Sequence, residues 1–413
     1  AARVVAADRE GLAAAGARLR AGGNVAFPTE TVYGLGGNAL DEAAVRRIFT
    51  FKGRPLTDPL IVHVPDAETA LGFVRAEGET RRIFEALAAK FWPGPLTMVL
   101  AADDKVPPAV CANTGFVGVR APSHPVARDL LLESGVPVAA PSANRFGHVS
   151  PTSAQHVADD LGAHDILIVD GGDVTNGTTC SVGIESTVLK VEDSDVPSDA
   201  TDVPRKLILF RKGGVPETAI RAALDEAGFT HVEIVPPPAF RDNSHESTGA
   251  CVSACDSSKS AAELATEQAE QAGAQQAPGQ LITHYAPDVD TWLLRAPSTS
   301  PSANPAGVLV VVETQQGKRL PLRSSVLLDF GGTLKELRDT VLAYRDLSPD
   351  GDVPSAARTL FDALRWTESV DGAEHVLIVD VAGADDPLAP SVTDRMFRAA
   401  SGKVSEGARI TPE

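Results

Sequence analysis

A turn after an apolar strand carries the residues best suited to holding a small polar ligand. Asn24–Phe27 predicts a short buried strand, and Pro28 removes a backbone donor and ends it. Thr29, Glu30 and the residues up to Gly37 then present hydroxyls, a carboxylate and glycines, which allow close approach of a ligand. The glycine spacing matches neither the Walker motif nor the dinucleotide-binding motif. Taken alone, the turn is therefore as typical of an ordinary strand-to-helix connection as of a ligand site.

Four cations elsewhere in the chain are suited to phosphate or carboxylate ligands: Lys52, Arg54, Arg120 and Arg211. Arginine offers a planar fork for bidentate contact, whereas lysine is a point charge. Each of them, taken alone, is equally consistent with a solvated surface cation.

Three further polar residues follow apolar segments. His63 ends the apolar run Leu60–Val64, where it predicts either a core histidine or a ligand contact. Ser142 and Asn144 follow a buried strand and can satisfy phosphate or ribose oxygens, although serine and asparagine also form turns.

The elements that would position these residues alternate between strand and helix. This alternation predicts a mixed α/β domain, a sheet covered by helices, over residues 1–235. The predicted strands are Leu60–Val64, Leu96–Leu100, Val117–Arg120, Val136–Ala140, Ile166–Asp170 and Val232–Val235, and the predicted helices are Asp41–Phe49, Glu79–Phe91, Pro125–Glu133, Thr152–Leu161 and Pro216–Ala227.

Composition changes abruptly after residue 235. Residues 236–288 are rich in Pro, Ser, Ala, Gln and Glu and predict a flexible linker, in which Ala261–Ala272 could form a polar helix. Residues 289–413 predict a smaller α/β domain. Its predicted strands are Val289–Leu294, Gly307–Val312, Ser325–Phe330 and His375–Val381, and its predicted helices are Leu334–Tyr344, Ser355–Trp366 and Val392–Ala400.

Composition excludes several classes of function. A net charge of −18, from 37 basic and 55 acidic residues, argues against non-specific adhesion to nucleic acid or anionic lipid. No apolar run approaches the roughly 20 residues that span a bilayer. Four cysteines, of which only Cys251 and Cys255 are close in sequence, indicate neither a disulfide framework nor a paired zinc motif.

Localisation is inferred from the same features. The cysteine content favours a reducing compartment, and we expect the cytoplasm. The chain begins at Ala1 without methionine, so a processed organellar copy is the alternative.

Several ordered sequence blocks together resemble one family. They are Phe27–Gly36 (FPTETVYGLG), Phe51–Pro55 (FKGRP), Asp58–His63 (DPLIVH), Trp92–Thr97 (WPGPLT), Val119–Pro122 (VRAP), Ala140–Asn144 (APSAN), Gly183–Val188 (GIESTV) and His284–Pro287 (HYAP). In this order they resemble the long two-domain L-threonylcarbamoyl-adenylate synthases of the YrdC-like family. The first seven blocks fall within residues 3–235, and the eighth resembles the family's linker.

The resemblance implies a fold and an activity. It implies an N-terminal YrdC-like twisted mixed sheet with helices and a Rossmann-like C-terminal domain. The implied reaction joins L-threonine, bicarbonate or carbon dioxide, and ATP into L-threonylcarbamoyl-adenylate with release of pyrophosphate. Mg²⁺ would accompany the ATP phosphates without a dedicated protein metal site. The product would pass to a tRNA threonylcarbamoyl transferase complex, and tight tRNA binding is not expected.

The resemblance also assigns roles to individual residues. Those implied to contact L-threonine are Thr29, His63, Arg120, Ala140 and Ser186. Those implied to contact ATP are Lys52, Arg54, Asp58, Ser142, Asn144, Ser150, Arg211 and Tyr285, of which Tyr285 could close over the nucleotide. Lys52, Arg54 and Arg120 are the expected catalytic cations, and Glu30 or a bound water is the candidate proton acceptor.

Four departures from the family pattern occur in or between these blocks. Asp58 stands where asparagine is usual, which places a negative charge near the nucleotide unless Lys52 or Arg54 offsets it. Phe116 stands where threonine is frequent, and Lys212 replaces a proline. The segment before His284 lacks the usual basic residue.

Two other functions remain open at this point. A YrdC-like RNA-binding module would need a basic face, which the charge balance disfavours. A carbamoyltransferase that uses carbamoyl phosphate would carry further domains with metal-binding histidine motifs, and these are missing from the sequence.

Overall fold

The computed structural model describes residues 1–172, 179–192, 205–236, 261–278, 284–295, 298–299, 310–314, 318–406 and 409–412. The chain divides into two compact units. The first runs over Ala1–Phe146, Ser150–Glu246 and Ala269–Gln280, and the second over Gly147–Val149, Ser247–Gln268 and Leu281–Glu413.

The first unit is built on a mixed sheet. Its strands are β1 (Arg3–Ala6), β2 (Asn24–Phe27), β3 (Gly34–Asn38), β4 (Ile61–His63), β5 (Val74–Arg75), β6 (Leu96–Ala102), β7 (Phe116–Arg120), β8 (Val138–Ala139), β9 (Ile166–Asp170), β10 (Thr187–Val191), β11 (Lys206–Arg211) and β12 (Glu233–Val235). They follow the order β1-β9-β2-β3-β8-β4-β7-β6-β10-β11-β12, and β5 pairs with β6. The sheet contains parallel pairs such as β4 with β7 and antiparallel pairs such as β6 with β7, so the predicted mixed sheet is confirmed.

Helices cover this sheet. They are α1 (Arg9–Arg20), α2 (Glu42–Lys52), α3 (Ala67–Leu71), α4 (Gly78–Phe91), α5 (Pro125–Ser134), α6 (Ala154–Leu161) and α7 (Glu217–Glu226). Successive strand side chains point to opposite faces. Accordingly Val25 and Phe27 pack in the cluster that contains Leu19 of α1 and Leu130 of α5, whereas Ala26 packs in the larger cluster on the other helices.

Local sequence explains where the helices begin and end. The Asp41 carboxylate accepts hydrogen bonds from the amides of Ala43 and Ala44 and so caps α2. Gly53 ends the same helix at φ 64°, a conformation that costs glycine little. The helix therefore stops directly after Lys52, one of the predicted site cations.

The second unit contains a parallel sheet. Strands β13 (Asp290–Arg295), β17 (Ser325–Asp329), β18 (Ala343–Asp346), β19 (His375–Val379) and β20 (Val404–Glu406) follow the order β18-β17-β19-β13-β20. A smaller sheet has the order β14-β21-β15-β16 and consists of β14 (Ser298–Thr299), β15 (Val310–Glu313), β16 (Arg319–Pro321) and β21 (Arg409–Pro412). Helices α9 (Val353–Glu368) and α10 (Ala389–Ala399) belong to this unit, and all four strand pairs in the larger sheet run parallel, as predicted for a Rossmann-like domain.

One predicted helix of the second unit is wrong. Residues 334–344 form a short 3₁₀ turn, Lys335–Leu337, and then enter β18. The Leu342 amide donates to the carbonyl oxygens of Leu322 and Ser325, and Ala343–Asp346 pairs with β17. Pairing with a distant strand therefore overrides the helical pattern.

The predicted linker lies partly outside the described residues. Residues 237–260 and 279–283 are not described, nor are residues 307–309 of the predicted strand Gly307–Val312. Within the described part, α8 spans Ala261–Ala272, the polar helix that the sequence allowed as an alternative to a flexible segment. Among the described residues, no helix combines the length and apolarity that crossing a membrane requires.

Candidate active site

The turn after β2 is folded around the hydroxyl of Thr29. Thr29 Oγ1 donates to the carbonyl oxygen of Val32 at 2.7 Å and accepts from the amides of Thr31 and Val32 at 3.2 Å each. Thr29 Oγ1 also lies 2.8 Å from Thr31 Oγ1. Side chain to backbone bonds of this kind hold a turn in one shape. Thr29, Glu30 and Thr31 are all buried, so the turn is a rigid part of the interior.

Glu30 and Arg120 form a buried ion pair. Arg120 Nη2 donates to Glu30 Oε1 at 2.7 Å and to Thr31 Oγ1 at 3.1 Å, while the Ser123 amide donates to Glu30 Oε2 at 3.1 Å. Arg120 Nε is buried without a hydrogen-bond partner among the described residues. A buried donor of this kind is costly when unsatisfied, so it marks a place where a ligand acceptor would be stabilised.

His63 lies beside Arg120 because β4 and β7 are parallel neighbours in which these two residues are in register. Burial, and next the charge of Arg120, lowers the pKa of His63 from 6.5 to about 3. The imidazole is therefore neutral at physiological pH. Its Nδ1 is buried and has no hydrogen-bond partner in the described part of the chain, which makes it a second nitrogen available to a ligand.

Ser186 connects two parts of the site. Its hydroxyl lies 2.8 Å from Thr97 Oγ1 and accepts from Arg211 Nη2 at 3.2 Å, and its carbonyl oxygen accepts from Arg211 Nε at 3.0 Å. The loop after Arg211 approaches this segment so closely that a Cβ on Gly213 would lie 2.4 Å from the carbonyl oxygen of Glu185. Glycine at 213 therefore permits the contact that holds Ser186 in place.

Lys52, Arg54 and Asp58 form a buried charged group. Arg54 Nη2 lies 2.8 Å from Asp58 Oδ1, and Arg54 also donates to the carbonyl oxygens of Asp58 and Pro59. Burial raises the pKa of Asp58, while Arg54, Lys52 and Arg211 act in the opposite direction. Three of the predicted nucleotide-binding cations thus act electrostatically on the Asp58 carboxylate. Such compensation was expected, because an uncompensated negative charge at this position would repel the nucleotide.

Two of the remaining predicted ATP residues, Ser142 and Asn144, contact this group through their backbone. Lys52 Nζ donates to the carbonyl oxygen of Ser142 at 2.7 Å and also to that of Asn144. Ser150 Oγ donates to Glu185 Oε1 at 2.6 Å. The hydroxyl hydrogen of Ser150 is therefore already used in a hydrogen bond within the protein. Ala140, a predicted threonine contact, donates its amide to the carbonyl oxygen of Ile61 at 2.9 Å and so lies near the start of β4.

Two departures from the family pattern have structural consequences. The Phe116 amide donates to Thr114 Oγ1 at 3.3 Å, and Lys190 Nζ lies 3.8 Å from the centre of the Phe116 ring. Phe116 is therefore held by a cation–π contact on the sheet. Lys212 is exposed directly after the buried Arg211.

Sequence reasoning missed two buried residues beside the turn. Burial, followed by the charge of Glu30, raises the pKa of the Cys180 thiol, which therefore stays protonated. Tyr33 Oη accepts from the Gly171 amide at 3.0 Å, and burial raises the pKa of Tyr33. No sequence pattern marks Cys180, because its proximity to Glu30 arises only from folding.

Tyr285 belongs to the second unit. It is fully buried, has φ 65°, and packs its ring 5.3 Å from that of Phe361 and 5.6 Å from the Arg395 guanidinium. Its predicted contact with the nucleotide stays a prediction.

The first unit thus brings together two groups of predicted residues. Thr29, His63 and Arg120 meet at the turn, while Lys52, Arg54 and Asp58 meet at the end of α2. Ser186 and Arg211 are paired, and Arg211 acts electrostatically on Asp58. Fold and site together define an α/β protein with a buried cluster of cations, of the kind that suits an anionic ligand.

Comparisons with known proteins identify the family. The Sua5/YciO/YrdC family model, described as telomere recombination, matches residues 17–198, and the model of the threonylcarbamoyl-AMP synthase C-terminal domain matches residues 246–401. The threonylcarbamoyl-AMP synthase of Bacillus subtilis is 33% identical over 95% of this chain and 94% of its own length. That of Pyrococcus abyssi is 44% identical over 50% of this chain, a match that spans 55% of the relative.

A solved structure agrees over both units. The crystal structure of P. abyssi Sua5 complexed with L-threonine is 29% identical, covers 98% of this chain and 99% of its own, and has a TM-score of 0.70. The chain belongs to the threonylcarbamoyl-AMP synthase family, in its two-domain form. Members of this family are enzymes that transfer a nucleotidyl group.

Proposed function

We propose that this protein synthesises L-threonylcarbamoyl-adenylate from L-threonine, bicarbonate or carbon dioxide, and ATP, with release of pyrophosphate. The observation that carries the proposal is the pair of buried nitrogens, Arg120 Nε and His63 Nδ1, that lack partners among the described residues. They flank a turn that is itself rigid, which is the arrangement expected where a small polar ligand completes the hydrogen bonding.

L-Threonine occupies this part of the site. The Arg120 guanidinium, already oriented by Glu30, offers its unpaired Nε–H to the carboxylate. Neutral His63 exchanges a hydrogen bond with the same ligand. A P. abyssi relative has been solved with L-threonine bound, which supports this choice of substrate.

ATP occupies the neighbouring cationic group. Lys52, Arg54 and Arg211 supply positive charge for the phosphates, and Asp58 offsets part of that charge when the nucleotide is absent. Ser142 and Asn144 border the group, and together with Ser150 they are proposed to contact the nucleotide. Mg²⁺ bound to the ATP phosphates would supply positive charge to the leaving pyrophosphate.

The reaction needs two bond-forming steps. The threonine amine attacks the carbon of carbon dioxide and loses a proton, which leaves a carbamate anion. A carbamate oxygen then attacks the α-phosphorus of ATP while the bond from that phosphorus to the bridging oxygen breaks and pyrophosphate leaves. Starting from bicarbonate, one water is also released. The amine proton passes to Glu30, whose carboxylate is oriented by Arg120 and Ser123, or to bound water.

The product serves the formation of threonylcarbamoyladenosine in tRNA, and a separate tRNA threonylcarbamoyl transferase complex consumes it. The net charge of −18 agrees with an enzyme that acts on small molecules and does not hold tRNA tightly. We place this activity in the cytoplasm.

The test is pyrophosphate release from ATP measured with and without L-threonine and bicarbonate. Release should require both, and mass spectrometry should identify the adenylate. L-Serine and carbamoyl phosphate, each in place of L-threonine, test the choice of substrate. Arg211→Met should lower kcat/KM by at least about 100-fold, whereas Lys206→Met, an exposed cation on the same strand β11, should leave it unchanged.

Two results would contradict the proposal. Release driven by carbamoyl phosphate without L-threonine would indicate a carbamoyltransferase. Folded protein that binds ATP and double-stranded RNA but releases no pyrophosphate would indicate an RNA-binding module.

A further inference from the structure

Three potential metal ligands converge in the second unit, outside the site described above. One ligand atom from each of His148, Asp288 and Glu368 lies within 4.8 Å of the other two. His148 Nε2 is 2.9 Å from Glu368 Oε1 and 3.1 Å from Glu368 Oε2. This separation is short enough for one cation to replace the hydrogen between imidazole and carboxylate.

Separate contacts hold the three ligands in place. The Ala286 amide donates to the carbonyl oxygen of Gly147 at 3.1 Å, and Arg365 donates to that of Val149, which fixes the backbone on both sides of His148. Glu368 is the last residue of α9. The ligands therefore come from three stretches of chain whose positions do not depend on a metal.

The surroundings resemble those of metal-binding carboxylates. The backbone amide of Asp288, which would not itself bind the metal, donates to Glu368 Oε1 at 2.8 Å and so orients that carboxylate. The two carboxylates, Asp288 and Glu368, together carry more charge than Arg365, which lies close to Glu368. His148 is buried while Asp288 is exposed, which leaves a path from solvent.

We propose that His148, Asp288 and Glu368 bind one divalent transition-metal cation of the zinc class. One imidazole nitrogen and two carboxylate oxygens suit zinc better than magnesium or calcium, which prefer oxygen ligands alone. Three protein ligands leave a fourth position for water. The cation would join the His148 segment, Asp288 and the end of α9.

The test is a titration of the metal-free full-length protein with Zn²⁺, monitored by calorimetry without nucleotide. Cys251 and Cys255 are close in sequence and can themselves capture zinc, so the titration uses the Cys251→Ser/Cys255→Ser background. We expect one Zn²⁺ per chain and a rise in Tm on binding. Mg²⁺ in parallel should bind far more weakly.

Variants separate the proposed site from adventitious binding. Asp288→Asn retains the backbone amide that contacts Glu368 and should weaken Zn²⁺ binding by at least about tenfold without changing the Tm of the metal-free protein. His148→Gln should weaken binding further. Asp371→Asn, which removes an exposed carboxylate elsewhere in the second unit, is the charge-matched control and should have no effect.

The proposal is overturned if the cysteine-free background binds no Zn²⁺. It is equally overturned if the affinity is the same in Asp288→Asn, His148→Gln and Asp371→Asn. Neither result depends on the activity proposed for the first unit, because the readout is metal binding.

Discussion

Arg120 and Glu30 lie 90 positions apart in the chain, yet the guanidinium donates to the carboxylate at 2.7 Å. Their side chains are only 5% and 3% exposed, so solvent screens the pair little. The ion pair joins the end of β7 to the turn after β2. It also fixes the direction of Arg120 before any ligand binds, which reduces the entropy lost on binding.

The first prediction concerns this ion pair. Glu30→Gln or Arg120→Met alone leaves a buried charge without its partner and should lower the free energy of unfolding by about 3–5 kcal/mol. The double variant should lose less than the sum of the two, as measured by urea denaturation in a double-mutant cycle. Glu42→Gln breaks an exposed pair with Arg46 and should cost about 0.5 kcal/mol or less. Strict additivity of the buried variants would contradict the coupling.

The second prediction concerns pH. The pKa of His63 is about 3 in the folded protein and about 6.5 when unfolded, so between these values the unfolded chain binds a proton that the folded chain does not. Stability should therefore fall as pH decreases from about 6.5 to 3. Well inside this pH range, protonation of His63 in the unfolded chain should lower the free energy of unfolding by roughly 1.4 kcal/mol for each unit of pH decrease. His63→Gln should show a shallower decrease in denaturant titrations, and parallel curves for the two proteins would contradict the assignment.

The third prediction concerns Asp58. Asp58→Asn removes a buried carboxylate whose pKa is raised mainly by desolvation, and it leaves the charges of Lys52, Arg54 and Arg211 uncompensated. ATP phosphates should then bind several-fold more tightly, because less negative charge opposes them. Direct nucleotide-binding measurements test this. Weaker ATP binding would instead mean that Asp58 is needed to orient Arg54, which lies 2.8 Å from it.

The fourth prediction concerns the loop that supports Ser186. A Cβ at position 213 would lie 2.4 Å from backbone atoms of Glu185, Ser186 and Thr187, which cannot move independently of the sheet. Gly213→Ala should therefore destabilise the protein by about 1–3 kcal/mol and lower threonine-dependent pyrophosphate release. Gly383→Ala, where no atom lies within 4 Å of the added carbon, should leave both Tm and activity close to wild type. Equal behaviour of the two variants would count against the packing argument.

Local sequence determined the elements and the composition of the site. Apolar runs predicted strands such as Leu96–Leu100, observed as Leu96–Ala102, and Ile166–Asp170, because hydrophobic burial and strand propensity act together there. Capping by Asp41 and Gly53 determined the extent of α2 and hence the position of Lys52. The charged and hydroxyl side chains of the matched blocks were visible in the sequence because their chemistry does not depend on folding.

Tertiary structure decided which of these residues meet and in what ionisation state. The pairing of β17 with Ala343–Asp346 replaced a predicted helix, because hydrogen bonds to a distant strand outweigh local propensity. The neutral His63, the protonated Cys180 and the raised pKa of Asp58 follow from desolvation, which depends on burial by distant parts of the chain. The ion pair of Glu30 with Arg120 was likewise invisible in the sequence, since only the packed sheet brings β7 to the turn after β2.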